Sequence, residues 1–218
     1  MKHIYCILFL MVLGPLFAQE ELPTFREDQI YLSIAYPYFS DSPSILIQNK
    51  LSYAFSVGFI RDMPINKQRT LAVGIGLGYD HSTLYNNTLF TQAGSTISAT
   101  VIEDDYQQNY LRIQSLAVPF ELRWRNATEN KHAFWRIHSG VSVHLPMSLK
   151  AHNKSSTGQI ITTRLPSKGT VLRLNMHFGF NTWNISIAHD MQPWAAFSAT
   201  NNNFYMKFTK IGLIFYVL

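Results

Sequence analysis

The sequence predicts an all-β fold, a closed up-and-down antiparallel barrel of about eight strands set in a bacterial outer membrane. Three observations predict it: an export signal at the N-terminus, period-two alternation in segment after segment, and connections that alternate between short and long.

Lys2 and His3 precede "IYCILFLMVLGPLFAQ", an apolar core that ends in small and polar residues around Ala18 and Gln19. A basic start, an apolar run and a small-residue cleavage site make a secretory signal peptide, assigned to residues 1–18, with 19–218 as the barrel domain. The run is shorter than the ~20 residues of a spanning helix, and Pro15 would break it. Cys6, the single cysteine, lies inside this signal, so the mature chain is expected to hold no disulfide, thiolate metal ligand or cysteine nucleophile. The formal charge is +5 over 218 residues, with Lys and Arg scattered along the chain. A nucleic-acid binder would gather them into a stripe, so no nucleic-acid partner is expected.

The strands follow in order. "QIYLSIAYP" puts Ile30, Leu32, Ile34 and Tyr36 on one face. "LSYAFSVGF" puts Leu51, Tyr53, Phe55, Val57 and Phe59 opposite Ser52, Ala54, Ser56 and Gly58. "LAVGIGLGY" sets Leu71, Val73, Ile75, Leu77 and Tyr79 against Ala72, Gly74, Gly76 and Gly78. "LAVPFELRWR" carries Leu116, Val118, Phe120, Leu122 and Trp124 on one side, Glu121 and Arg123 on the other. In "FWRIHSGVSVHLPM", Trp135, Ile137, Val141, Val143 and Leu145 oppose Arg136, His138, Gly140 and His144. "VLRLNMHFGFN" sets Leu172, Leu174, Met176, Phe178 and Phe180 against Arg173, Asn175, His177 and Gly179; "WNISIAHDM" and "FYMKFTKIGLIFYVL" close the series.

Alternation alone suits a soluble sandwich as well as a membrane barrel, since both have one apolar and one polar face. Three features favour the membrane. The connections alternate, short at "RDMPINKQR", "NATENKH" and near Thr182, long over 38–50, 81–108 and 148–168, as periplasmic turns and outer loops do. Trp124, Trp135 and Trp183 stand at strand ends like an interfacial girdle. The final apolar strand runs to Leu218. Outer-membrane lipid is therefore an expected partner.

In a barrel this small, side chains fill the interior. Gly74, Gly76 and Gly78 are then expected to be lumen positions that make room for bulky neighbours. Glu121, Arg123, Arg136, His138, His144, Arg173, Asn175, His177 and Asp190 share the inward face as a polar network, either self-satisfied or open to a ligand. Asp62 points inward by parity near the periplasmic end. Pairing Phe59 with Leu71 and Trp124 with Trp135 sets the expected register, which would place Arg123 against Arg136. Leu111 and Ile113 fall out of phase with Leu116, which predicts a bulge near Ser115. His189–Asp190 is the one pair that suggests triad chemistry, but neither Gly-x-Ser-x-Gly nor His-Glu-x-x-His occurs, so no catalytic residue, metal site or cofactor is assigned.

The segments "FREDQIYLSIAYP", "GFIRDMPINKQRTLAVGIGLGY", "VPFELRWRNATENKHAFWRIHSGVSV", "FGFNTWNISI" and "KIGLIFYVL" resemble, in order, the PorT family of Bacteroidetes. These are outer-membrane barrels associated with the type IX secretion system and, in gliding bacteria, with motility. The resemblance implies a non-enzymatic accessory barrel needed to export proteins that bear a C-terminal secretion domain. It is sharpest around the two short turns, which points to a rim of Arg61, Asp62, Lys67, Arg69, Arg125 and Lys131 as the contact with another secretion component on the periplasmic side. An autonomous barrel acting as adhesin, narrow channel or lipid-modifying enzyme is the alternative.

Overall fold

The computed structural model describes residues 28–40, 46–93, 96–102, 106–126, 134–180, 182–198 and 203–217. The expected signal peptide, Lys131 and Leu218 lie outside the described residues. Eight strands close into one ring. β1 (Asp28–Phe39), β2 (Tyr53–Pro64) and β3 (Leu71–Tyr85) are followed in the wall by β6 (Tyr106–Arg125) and β7 (Trp135–Ser155). β9 (Val171–Phe180), β10 (Trp183–Asp190) and β13 (Phe208–Val217) complete it, and β13 pairs with β1 from Ile30↔Val217 to Phe39↔Phe208. Closure satisfies the backbone without an edge, which is what a sheet in lipid requires. At the long-loop end, β4 (Thr88–Ala93) pairs with β5 (Thr96–Val101), and β11 (Ala196–Ser198) with β12 (Asn203–Tyr205). β8 (Ile160–Arg164) pairs with the far end of β7.

Alternation becomes sidedness. On β9, Arg173, Asn175 and His177 are buried while Leu174, Met176 and Phe178 face out and are exposed. The outward apolar run from Trp135 to Met147 on β7 rises roughly 28 Å at ~3.3 Å per residue and ~45° tilt, close to the ~25 Å apolar band of such barrels. Trp124, Trp135 and Trp183 stand exposed at its lower edge. There Trp135 stacks on Phe178 at 5.2 Å and Trp183 meets Phe215 edge-on at 5.1 Å.

The expected registers are corrected. Phe59 pairs with Leu77, not Leu71, because β2 runs on through Arg61 and Asp62 to Pro64, opposite Ala72. The turn is held instead by Asn66, whose Oδ1 accepts from Leu71 N at 3.0 Å. Trp124 pairs with Ile137, so Arg123 faces His138 and Arg125 faces Arg136. Both shifts are even, so every side chain keeps its face. The bulge does fall beside Ser115, but its extra residue, Met147, is on β7, between Ser115↔Pro146 and Gln114↔Ser148.

That bulge marks a reversal of polarity. Below it β7 turns His138, Ser142 and His144 inward; above it Leu149 and Ala151 point in and Lys150 points out. β6 keeps its parity, so Leu111 and Ile113 are buried inside the same wall as Glu121 and Arg123. Of the stretches expected as loops, residues 81–85, 106–108 and 148–155 continue the wall strands β3, β6 and β7, whereas β4 and β5 form a separate two-stranded hairpin between them. Their inward apolar residues join Trp194, Phe197, Met206 and Phe208 in a core that closes the outer mouth.

Candidate functional site: the filled lumen and its rims

The lumen holds two ionic clusters. The lower one starts from three strands. Gly74 stands between Asp62 and Glu121 in register, and a Cβ there would sit 2.8 Å from the Arg123 Cδ. The missing side chain lets Arg123 cross from β6 to Asp62 on β2, to which its Nη1 donates. The Arg123 Nε lies 3.3 Å from Glu121 Oε2 and donates to His138 Nδ1 at 3.2 Å. Its guanidinium lies 4.7 Å from the Tyr216 ring centre. His177 Nε2 is 3.4 Å from Glu121 Oε1, and Arg125 Nη1 is 3.5 Å from Asp62 Oδ2. Arg136 sits at the lower mouth with its guanidinium over Phe134.

The upper cluster centres on Asp80 and Asp190. Lys210 Nζ donates to Asp80 Oδ1 at 2.7 Å, and Ser56 Oγ to Oδ2 at 2.8 Å. Arg173 bridges the two carboxylates, at 3.3 Å from Asp80 and 2.7 Å from Asp190. Asp190 Oδ2 also accepts from the Trp194 indole at 2.6 Å and from Phe208 N at 3.1 Å. His144 lies between Ser115 Oγ at 3.0 Å and Ser142 Oγ at 2.9 Å, and Asn175 donates to Ser142. Between the clusters is a cavity of about 70 Å³, lined by Tyr31, Glu121, Asn175 and His177 among others.

Among the described residues the four lumen carboxylates are therefore all met by cations, and Trp194, fully buried, packs above them. Among the same residues, paired charges fill the lower lumen and the apolar core around Trp194 packs its outer end. The nine network residues expected from the sequence all turn inward, split between the two clusters. Asp80, Lys210, Tyr31, Tyr216 and Trp194 were missed. Asp80 shares the parity of Gly74–Gly78 and Lys210 that of Gly212, so parity alone would have placed both inside. His189 turns outward to Thr209 Oγ1 at 2.7 Å, which separates it from Asp190 and removes the suggested dyad. Among the described residues no three His, Cys, Asp or Glu side chains converge as metal ligands.

The expected rim divides. Arg61 is exposed beside Asp28 at 3.5 Å, and Lys67 and Arg69 lie in the turn between β2 and β3. Asp62 and Arg125, by contrast, are buried, and Arg125 Nε donates to the Arg69 carbonyl at 2.9 Å. Burial takes both out of the surface that a partner would meet.

Two solved structures of Ail, the attachment invasion locus protein of Yersinia pestis, are similar to this chain, one of them in complex with the heparin analogue sucrose octasulfate. Each is 12% identical, with 86% of this chain and 97% of that chain covered, at TM-scores of 0.32 and 0.33. Among curated proteins none matches the sequence. The family model described as outer membrane protein beta-barrel domain matches residues 17–206, which takes in every wall strand but β13. The chain therefore belongs to the outer membrane protein beta-barrel domain family, and its place is the outer membrane.

Proposed function

We propose that this barrel is a non-enzymatic accessory or assembly component of a type IX-like protein secretion system, acting through its surfaces and not through a pore. The observation that carries the surface reading is the filled lumen: paired charges below, and Trp194 with its apolar core above. The secretion role rests on the resemblance to the PorT family, sharpest around the turns after β2 and β6. Arg61, Lys67 and Arg69 are the accessible cations that such a periplasmic partner would meet.

The test is deletion followed by complementation. Deletion abolishes export of proteins bearing a C-terminal secretion domain, and an Arg61→Glu/Lys67→Glu variant fails to restore it although its barrel still migrates faster unheated than boiled on a detergent gel. Export that survives deletion overturns the secretion role. Export restored by the charge-reversed variant overturns the rim contact. One observation favours an adhesin as second reading: β6 and β7 carry the wall beyond the apolar belt, and the separate hairpins β4–β5 and β11–β12 add to the same end. A deletion phenotype confined to surface attachment would select it.

A further inference from the structure

We infer that the outer wall carries a binding site for the phosphorylated headgroup of an outer-leaflet glycolipid, formed by Arg112, Lys150 and Arg164. The three lie in register on neighbouring strands: Arg112 on β6 pairs with Lys150 on β7, and Lys150 with Arg164 on β8. All three alternate with buried residues, Leu111 and Ile113, Leu149 and Ala151, Thr163 and Leu165, so their side chains project from the outer face. Directly opposed residues stand about 5 Å apart, and like charges in that position oppose pairing. Three cations across ~10 Å of wall therefore call for a counter-anion.

The described protein supplies none. Of its carboxylates, Asp62, Asp80, Glu121 and Asp190 are committed to the lumen, and Asp28 lies at the periplasmic end beside Arg61. Arg112 rests against the Tyr110 ring at 5.5 Å, and its buried Nε makes no hydrogen bond among the described residues.

Height selects the occupant. Met147 on β7 and Leu116 on β6 are the last exposed apolar residues of the belt before Lys150 and Arg112. At ~3.3 Å per residue and ~45° tilt the cations stand roughly 7–9 Å above them. The headgroup layer extends about 5–8 Å beyond the hydrocarbon, so the row meets phosphates that are anchored there. The Tyr85, Tyr110 and His152 rings, in contact at 5.5 Å and 4.7 Å, form a shelf directly above the row. A headgroup would sit between shelf and belt. A soluble phosphate would gain nothing from the belt below.

The test uses the full barrel in zwitterionic detergent, with bound lipid measured by native mass spectrometry. The probes are the purified outer-membrane glycolipid, its dephosphorylated form and inorganic phosphate. Wild type binds the phosphorylated lipid. At roughly fivefold per surface cation, an Arg112→Gln/Lys150→Gln/Arg164→Gln variant loses on the order of a hundredfold in affinity. That variant keeps its heat-modifiable migration, and an Arg112→Lys/Arg164→Lys variant, which preserves the charge, binds within about fivefold of wild type. Equal binding of the dephosphorylated lipid, or undiminished binding by the Gln variant, overturns the site. Inorganic phosphate binding as tightly as the lipid overturns the headgroup as its occupant.

Discussion

Tyr31, Gly58 and Gly78 stand side by side on β1, β2 and β3, and the Tyr31 ring lies across both glycines. A Cβ on Gly78 would meet the Tyr31 hydroxyl at once and stand 2.9 Å from both the ring Cζ and the Val57 carbonyl oxygen. The ring has the cavity of about 70 Å³ to move into, but the Val57 carbonyl is ladder backbone and cannot yield. Gly78→Ala is therefore expected to cost about 2 kcal/mol, within the range of core overpacking. Tyr31→Ala alone costs about 3 kcal/mol through lost packing. With the ring gone, the new methyl has room on one side, so the double variant should be more stable than the sum predicts by about 1–2 kcal/mol. The assay is reversible urea unfolding in phospholipid vesicles, followed by tryptophan fluorescence. Additivity within ~0.5 kcal/mol, or a Gly78→Ala barrel as stable as wild type, would refute the idea that these glycines exist to seat a ring.

Asp62→Ala removes the buried carboxylate that Arg123 and Arg125 share and is expected to cost about 3–5 kcal/mol. Asp28→Ala, which breaks the exposed pair with Arg61, should cost about 0–1 kcal/mol in the same unfolding assay. Trp194→Ala unseals the outer mouth; it should cost about 3–5 kcal/mol and raise single-channel conductance in planar bilayers above a silent wild type. His152, above the membrane on β7, has its pKa lowered from the ordinary 6.5 by burial first, then by Arg112 and Lys150. The folded state thus keeps it neutral. Its contribution to stability is full above pH 6.5 and is lost as the pH falls below that value, where the unfolded chain takes up the proton first. An imidazole NMR titration should place its midpoint below 6.5, and Arg112→Gln should move it upward.

The membrane half of the wall is legible in the sequence because lipid outside and a filled lumen inside impose one rule on every strand. Parity alone seats Arg173, Asn175 and His177 indoors and Leu174, Met176 and Phe178 in lipid. Register is less legible. Arg61 and Asp62 look like turn residues, yet Arg61 is the exposed end of the outer face and Asp62 is the ligand of Arg123, so β2 ends later than its apolar run. Above the apolar belt the rule inverts, since polar surroundings outside and a packed plug inside favour Leu111 and Ile113 inward and Arg112 outward. A reader who holds to the lower rule sees a break in phase and infers loops. Trp194 was invisible for another reason: its partners Asp190, Arg173 and His144 come from three wall strands, and only closure brings them together.

Buried ion pairs are a poor source of net stability, and well-packed apolar residues of the same volume often do as well or better. Their use here follows from the solvent. With lipid outside, an apolar lumen would leave the two faces of each strand chemically alike, and a one-residue slip would cost little. With Arg173 inside, the same slip drives its guanidinium into hydrocarbon at about 2–4 kcal/mol near the midplane. It also strands Asp80 and Asp190, whose charges Arg173 bridges. The glycine rows belong to the same device, because Gly74 lets Arg123 reach Asp62 across an intervening strand. The lumen charges thus specify sidedness and register, and the bulge at Met147 is placed where the surroundings change and sidedness must be reset.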